Sequence, residues 1–147
     1  MSINIKKLTR EEIEKSLSLV WDVFNKYEAM HYSEAGKKAF HQAIYSVDYL
    51  DTLTAYGAFD GDRLVGIIAT RNAGSHIALF FVHGDYHRQG IGKMLFEACL
   101  KDNENKQITV NSSEYALDVY KKLGFIQTDT LKEEDGIRYL PMIYDPK

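Results

Sequence analysis

The order of elements along the chain predicts an α/β (α+β) domain: a mixed, mostly antiparallel central sheet of about seven strands flanked by about four helices. Three observations carry this expectation. Apolar residues in the first third recur at helical spacing, and the middle then switches to short β-rich runs separated by turn residues. A strand, helix, strand, helix succession over residues 76–123 requires at least one parallel crossover. Hairpin signals on either side of it imply antiparallel pairs, so helices cover a mixed sheet.

Residues 3–8 alternate in polarity and read as a strand. Thr9 stands three residues before Glu12, the spacing of a capping box. Ile13, Leu17, Val20, Trp21 and Phe24 follow at helical spacing, so a long amphipathic helix is expected over about 10–30. Ser33 suits the cap of a second helix whose apolar stripe is Ala39, Phe40, Ala43 and Ile44. Leu53–Phe59 and Arg63–Arg71 are strands joined by the hairpin signal Asp60-Gly61-Asp62. After the turn Asn72-Ala73-Gly74-Ser75 comes HIALFFV, residues 76–82, a nearly continuous apolar run of the kind expected in a strand buried on both faces. A helix is expected over 91–102, a short strand over 107–110 and a helix over about 113–123. Two closing strands, 125–130 and 137–144, flank the turn Glu134-Asp135-Gly136.

At 147 residues the expectation is one domain spanning 1–147, large enough to bury a core without metal or disulfide. The net charge of −3 argues against a nucleic-acid-binding domain. The single cysteine, Cys99, excludes an internal disulfide and sits on the apolar side of its helix, as a small core filler. No apolar run reaches the roughly 18 residues that span a membrane, and the amino terminus has no signal-peptide pattern, so a cytoplasmic protein is expected. His83, His87 and Asp85 lie close in sequence but lack further ligands, so no metal is expected.

The segment richest in chemistry is FFVHGDYHRQGIGKML, residues 80–95. A strand ends at Val82, a polar loop follows, and Gly90-Ile91-Gly92 opens a helix. Such a helix start offers unpaired N–H groups and a positive dipole end, and the glycines let an anion approach the backbone. Arg88 and Lys93 add positive charge. The glycines could equally do no more than shape a tight turn. The phosphate-loop pattern is absent, because Gly92-Lys93 is followed by Met94 and position 87 is His. The dinucleotide fingerprint fails at position 95, which is Leu rather than Gly.

His87-Arg88-Gln89-Gly90-Ile91-Gly92 resembles the [QR]-x-x-G-x-[GA] signature of the GNAT superfamily of acetyl-CoA-dependent N-acetyltransferases, with His in place of Gln or Arg at its first position. Phe81-Val82-His83 and Lys93-Met94-Leu95 also resemble the family's flanks, whereas Gly84 stands where Pro is frequent. Downstream, Asn111-Ser112-Ser113 through Val119-Tyr120-Lys121-Lys122-Leu123-Gly124-Phe125 resembles the family's strand, helix and Y-x-x-x-G-F ending.

The resemblance implies transfer of an acetyl group from acetyl-CoA to a primary amine by direct attack in a ternary complex. It places the coenzyme pyrophosphate on the backbone of Arg88, Gln89, Gly90, Ile91, Gly92 and Lys93, with His87 as the departing side chain. It places the pantetheine arm along Phe80, Phe81 and Val82, added like an extra strand, with the Val82 N–H facing the thioester oxygen. Tyr120 is implied as the acid that protonates the leaving thiolate; read without the family it is a core aromatic. Asn111 either closes over the pantetheine or caps the next helix at the Asn111…Glu114 spacing. For the base, His76 occupies the place where some members carry a Glu, and a strand-end histidine without a role is the alternative. Glu28, His31 and Glu34 are substitutes near the acceptor side. Tyr27, Tyr32, Tyr45 and Tyr49 form either an acceptor pocket or helix packing. The acceptor is a small-molecule or peptide amine, without nucleic acid or membrane, and family analogy allows a homodimer. A noncatalytic acyl-CoA-binding sensor is the alternative reading, and Tyr120 argues against it.

Overall fold

The computed structural model describes residues 2–103, 107–134 and 136–146, so Asp135 of the expected turn lies outside the described residues. Among the described residues, eight strands and five α-helices follow in the order β1 (Ile3–Lys7), α1 (Arg10–Tyr27), α2 (Glu34–Ile44), α3 (Val47–Asp51), β2 (Thr54–Asp60), β3 (Arg63–Arg71), β4 (His76–Val82), α4 (Ile91–Asp102), β5 (Ile108–Ser112), α5 (Leu117–Leu123), β6 (Ile126–Gln127), β7 (Lys132–Glu134) and β8 (Ile137–Tyr144). The sheet runs β1-β2-β3-β4-β5-β8-β6, with β7 paired to β8. The β4–β5 pair is parallel and every other pair is antiparallel. This is the mixed, mostly antiparallel sheet that the sequence predicts.

Two apolar layers sandwich the sheet. Ile13, Leu17, Val20 and Phe24 of α1 pack with Ile44 of α2, Leu50 of α3 and the inward residues Ile67, Leu79 and Phe81. On the other face Ile91, Leu95, Phe96 and Cys99 of α4 pack with Tyr120 of α5, Ile68, Val110 and Met142. The amphipathic spacing of α1 and α4 fixes which side each buries.

The capping box forms: the Thr9 hydroxyl accepts from the Glu12 N–H at 3.2 Å, and the Thr9 N–H donates to Glu12 Oε1 at 2.9 Å. Ser33 caps α2 by accepting from the Gly36 N–H at 3.0 Å.

Several boundaries differ from expectation. The first helix stops at Tyr27, and Ala29–His31 is a separate 3-10 turn, which leaves Glu28 at the carboxyl-terminal cap of α1. The helix expected over 113–123 begins only at Leu117, because the Ser113 hydroxyl holds the Ala116 N–H at 3.1 Å in a preceding turn. Strand β6 keeps two residues of the expected 125–130, while α3 and β7 were not anticipated.

The largest correction concerns HIALFFV. It lies between both apolar layers but is not fully buried: Ile77, Leu79 and Phe81 are buried, and Ala78, Phe80 and Val82 are only partly so. Its pairing with β3 jumps from Ile77 to Leu79, so Ala78 is a bulge. Ile77 accordingly faces the α4 layer, while Leu79 and Phe81 face the α1 layer.

The β7–β8 hairpin reaches back to α2. A Cβ on Gly36 would lie 2.4 Å from the Gly136 carbonyl oxygen, and one on Gly136 would lie 2.1 Å from Ser33 Oγ. Gly136 also has a φ of +80°. Gly136→Ala therefore combines backbone strain with a clash, and a loss of about 1–3 kcal/mol is expected in urea unfolding.

Candidate active site

The parallel pairing of β4 with β5 covers only His76↔Thr109 and Ile77↔Val110. Beyond the bulge the strands part, since β5 stays with β8 through Ser112. The free edge of β4 can be assigned. The His83 N–H donates to the Val65 carbonyl on β3 at 2.8 Å. The Val82 carbonyl instead bonds His87 Nε2 at 2.6 Å, so it faces away from β3. By strand alternation the N–H groups of Val82 and Phe80 share that direction, into the gap.

The gap leads to the amino terminus of α4. Gly90 is its cap residue in the left-handed conformation, with no side-chain cap bond. A Cβ there would meet nothing within 4 Å. Arg88 is also left-handed, at φ +63°. The first-turn N–H groups of α4 therefore point to an open surface beside Arg88 and Lys93, an arrangement suited to a phosphate. The Gln89 side chain donates to the Asp85 carbonyl at 3.2 Å and stiffens the loop. His87, the departure from the family signature, ties the loop to the end of β4. Gly84 leaves room for the Tyr27 hydroxyl, which a Cβ there would displace. Tyr27 in turn stacks on Tyr115 at 5.4 Å and contacts the His87 ring at 4.8 Å.

At the inner end of the gap is a cavity of about 80 Å³. Ile77, Ala78, Phe80 and Phe81 supply one wall and Val110, Asn111, Ser113, Ala116 and Tyr120 another. Phe24, Glu28, Tyr32 and Phe40 close it from the α1–α2 side. Tyr120 is 5% exposed and meets the Phe80 ring at 5.8 Å. Burial and the nearby Glu28 carboxylate both push its phenol far above the ordinary value, so it stays protonated. Tyr32, which stands edge-on to Phe24 at 4.8 Å, is pushed up to about 12 by burial and by the charge of Glu28.

Glu28 is the acid in this cavity. It is 9% exposed, and burial raises its carboxyl to about 7, opposed in part by the polar Ser113 side chain. Its place at the carboxyl-terminal end of α1, the negative end of the helix dipole, works in the same direction as burial. A stability effect follows. Between about pH 4.5 and 7 the folded chain keeps this proton and the unfolded chain releases it, so stability falls as pH rises through that window and levels off above it. Glu28→Gln is expected to remove the fall, which amounts to about 3 kcal/mol at full effect. The variant should then exceed the parent in urea unfolding at pH 8 and approach it near pH 4.5.

The other candidates fall elsewhere. His76 sits at the closed, paired end of β4, where its Nδ1 bonds Thr109 Oγ1 at 2.8 Å, and it does not line the cavity. Burial and the nearby Arg71 lower its pKa. Asn111 is a strand residue opposite Pro141 that lines the cavity, so it does not cap a helix. Of the four tyrosines, Tyr32 lines the cavity, Tyr27 stands at the loop, Tyr45 packs on His41 at 4.8 Å, and Tyr49 packs against the α1-side core. Glu34 is exposed and bonds Lys37. Cys99 is buried, and its thiol is pushed up to about 12. Among the described residues no cluster of three His, Cys, Asp or Glu could hold a metal ion, and no helix is long and apolar enough to cross a membrane.

Comparison with known proteins gives a consistent picture. Residues 28–146 match the family described as acetyltransferase (GNAT) domain. A peptidyl-lysine N-acetyltransferase, YjaB of Salmonella typhimurium, is 30% identical over 147 residues, with 97% of each chain covered. Among solved structures, a PaiA N-acetyltransferase of Thermoplasma acidophilum in complex with coenzyme A superposes with a TM-score of 0.80 at 22% identity, covering 98% of this chain and 99% of the other. The apo form of Escherichia coli YjaB gives 0.75 at 21%, with 98% of each covered.

Proposed function

The chain belongs to the GNAT acetyltransferase family, and on that premise we propose that it moves an acetyl group from acetyl-CoA to a primary amine by direct attack in a ternary complex. The observation that carries this reading is the continuous path from the uncapped start of α4, along the parted edge of β4, to the cavity holding Tyr120.

Each stretch of that path matches part of the donor. The pyrophosphate takes the N–H groups of residues 88–93, with Arg88 and Lys93 alongside. The pantetheine amides pair with the outward N–H and C=O groups of β4 as a short added strand, and Asn111 faces them from β5. The Val82 N–H was the expected donor to the thioester oxygen. Val82 does not line the cavity, whereas Phe80 does. Val82 is therefore assigned to the pantetheine and the Phe80 N–H to the developing oxyanion. Tyr120 protonates the departing sulfur.

The acceptor enters from the α1–α2 side, between Tyr32, Phe40 and Glu28. The walls there are mostly aromatic, which suits a slender aliphatic arm ending in a cation. The relative named as a peptidyl-lysine N-acetyltransferase makes the lysine side chain the first acceptor to try. Free-thiol release from acetyl-CoA with a panel of lysine peptides, polyamines and amino acids tests the reading. Turnover with at least one of them is expected. Micromolar coenzyme A binding by calorimetry with no turnover on any would favour the noncatalytic sensor.

A further inference from the structure

We propose that His87 is a latch on the coenzyme channel: its imidazole holds the outward carbonyl at the end of β4, and coenzyme A opens the channel by displacing it. This rests on the acetyl-transfer reading above, which runs the pantetheine along β4, and names the side chain that sets how readily the donor enters.

The chain makes this contact with itself. The His87 ring bonds the Val82 carbonyl through Nε2 at 2.6 Å. A carbonyl only accepts, so Nε2 carries the proton and donates it. That carbonyl turns away from β3, because the N–H of the next residue, His83, is the one that bonds Val65 there. A strand added to the free edge of β4 needs the same oxygen for one of its own N–H groups. The half-buried ring that reaches this oxygen therefore lies in the gap itself. It rests on Tyr27 at 4.8 Å, and Tyr27 stacks on Tyr115 at 5.4 Å. His87 comes from the loop after β4 and Tyr115 from the turn after β5, so the three rings span the gap between the two strands. Their sequence neighbours divide in two: Arg88 belongs to the proposed phosphate turn, whereas Glu28 and Ala116 line the cavity. The span stands between the turn and the cavity. The loop has other ties that hold its shape. The Tyr86 hydroxyl donates to Asp60 on β2 at 2.7 Å, and Gln89 donates to the Asp85 carbonyl at 3.2 Å.

The effect on donor binding follows from competition for one acceptor. Coenzyme A exchanges the imidazole N–H for a pantetheine amide N–H, so the pantetheine gains less from β4 than it would from a free carbonyl. A single hydrogen bond shifts such an equilibrium by about 3–10-fold. The apparent affinity falls by the fraction of chains in which the ring has swung aside. That loss applies only to ligands that carry the pantetheine. A nucleotide that ends at the pyrophosphate reaches the turn before α4 and leaves the three rings in place. The latch thus separates docking of the phosphates from entry of the acyl arm, and only a ligand with an amide to offer completes the second step.

The test measures two ligands by calorimetry on the intact chain: coenzyme A, and its phosphoadenosine diphosphate portion without the pantetheine. His87→Phe keeps a ring against Tyr27 and removes the N–H donor. It should bind coenzyme A about 3–10-fold more tightly than the parent, and the shorter ligand within about twofold of it. His87→Gln restores a donor on a more flexible arm and should fall between the two. In the parent, coenzyme A but not the shorter ligand should shift the His87 ring signals in nitrogen-edited NMR spectra, where either variant identifies them by their loss. Ring signals that respond equally to both ligands would overturn the latch. A His87→Phe chain that binds both ligands more weakly in equal measure would make His87 a brace of the loop and overturn it too, as would unchanged binding of both. Each of these results leaves the pantetheine path intact. A parent that binds the two ligands with equal affinity would overturn that path itself, and the latch with it.

Discussion

Gly90→Glu is expected to raise the dissociation constant for coenzyme A by at least about 10²-fold, read by calorimetry, while the chain remains folded. Two effects act at this position. Gly90 has a φ of +80°, so any other residue strains the backbone by roughly 1–2 kcal/mol. The space beyond its Cα is open, so a new side chain extends over the first turn of α4 without a clash. A carboxylate there would oppose the pyrophosphate at its proposed place and compete for the first-turn N–H groups. Gly90→Ala separates the two effects. It should show the same loss of stability in urea unfolding, but weaken binding by no more than about fivefold. Equal binding losses in both variants would assign the effect to strain, and unchanged binding in both would move the phosphate site elsewhere.

Tyr120→Phe is expected to lower kcat by about 10²-fold or more with little change in coenzyme A affinity. The ring contacts with Phe80 at 5.8 Å and Phe125 at 5.3 Å survive the change, because only the hydroxyl is removed. Stability should stay the same or rise slightly, since a buried phenol oxygen gives way to hydrogen. The defect should therefore sit in the chemical step and be relieved by an acyl donor with a more acidic thiol, which leaves without a proton. An unchanged kcat would remove Tyr120 from the mechanism.

The sequence carried the local information in this fold well. The capping box at Thr9, the cap at Ser33 and the hairpin at Asp60-Gly61-Asp62 formed where short-range rules placed them. The helix α3 escaped because five residues are too few to show a period, although Ser46 caps it. HIALFFV is less completely buried than its apolar run implies, for a tertiary reason. An apolar run does not disclose which of its residues will lack a neighbour, and β5 leaves β4 after two pairs. The candidate site followed the same division. The glycine turn at 90–92 is continuous in sequence and was legible there. The contribution of Glu28 was not, because its environment comes from Ser113 and Tyr120, more than 80 residues away. In the sequence it was one of three comparable candidates on the acceptor side. Its signal is burial, which only the assembled chain reveals.

The bulge at Ala78 bears on how this chain tolerates change. One extra residue turns β4 just where its partner departs, and a strand without it would keep its register and its neighbour. Deleting Ala78 would extend the β4–β5 ladder and complete the sheet, filling with hydrogen bonds the space now left for a ligand. Such a chain would close the β4 edge along which the pantetheine arm is proposed to lie, while the turn before α4 would remain. The length of one strand, more than the identity of any side chain, thus sets whether the middle of this sheet stays open.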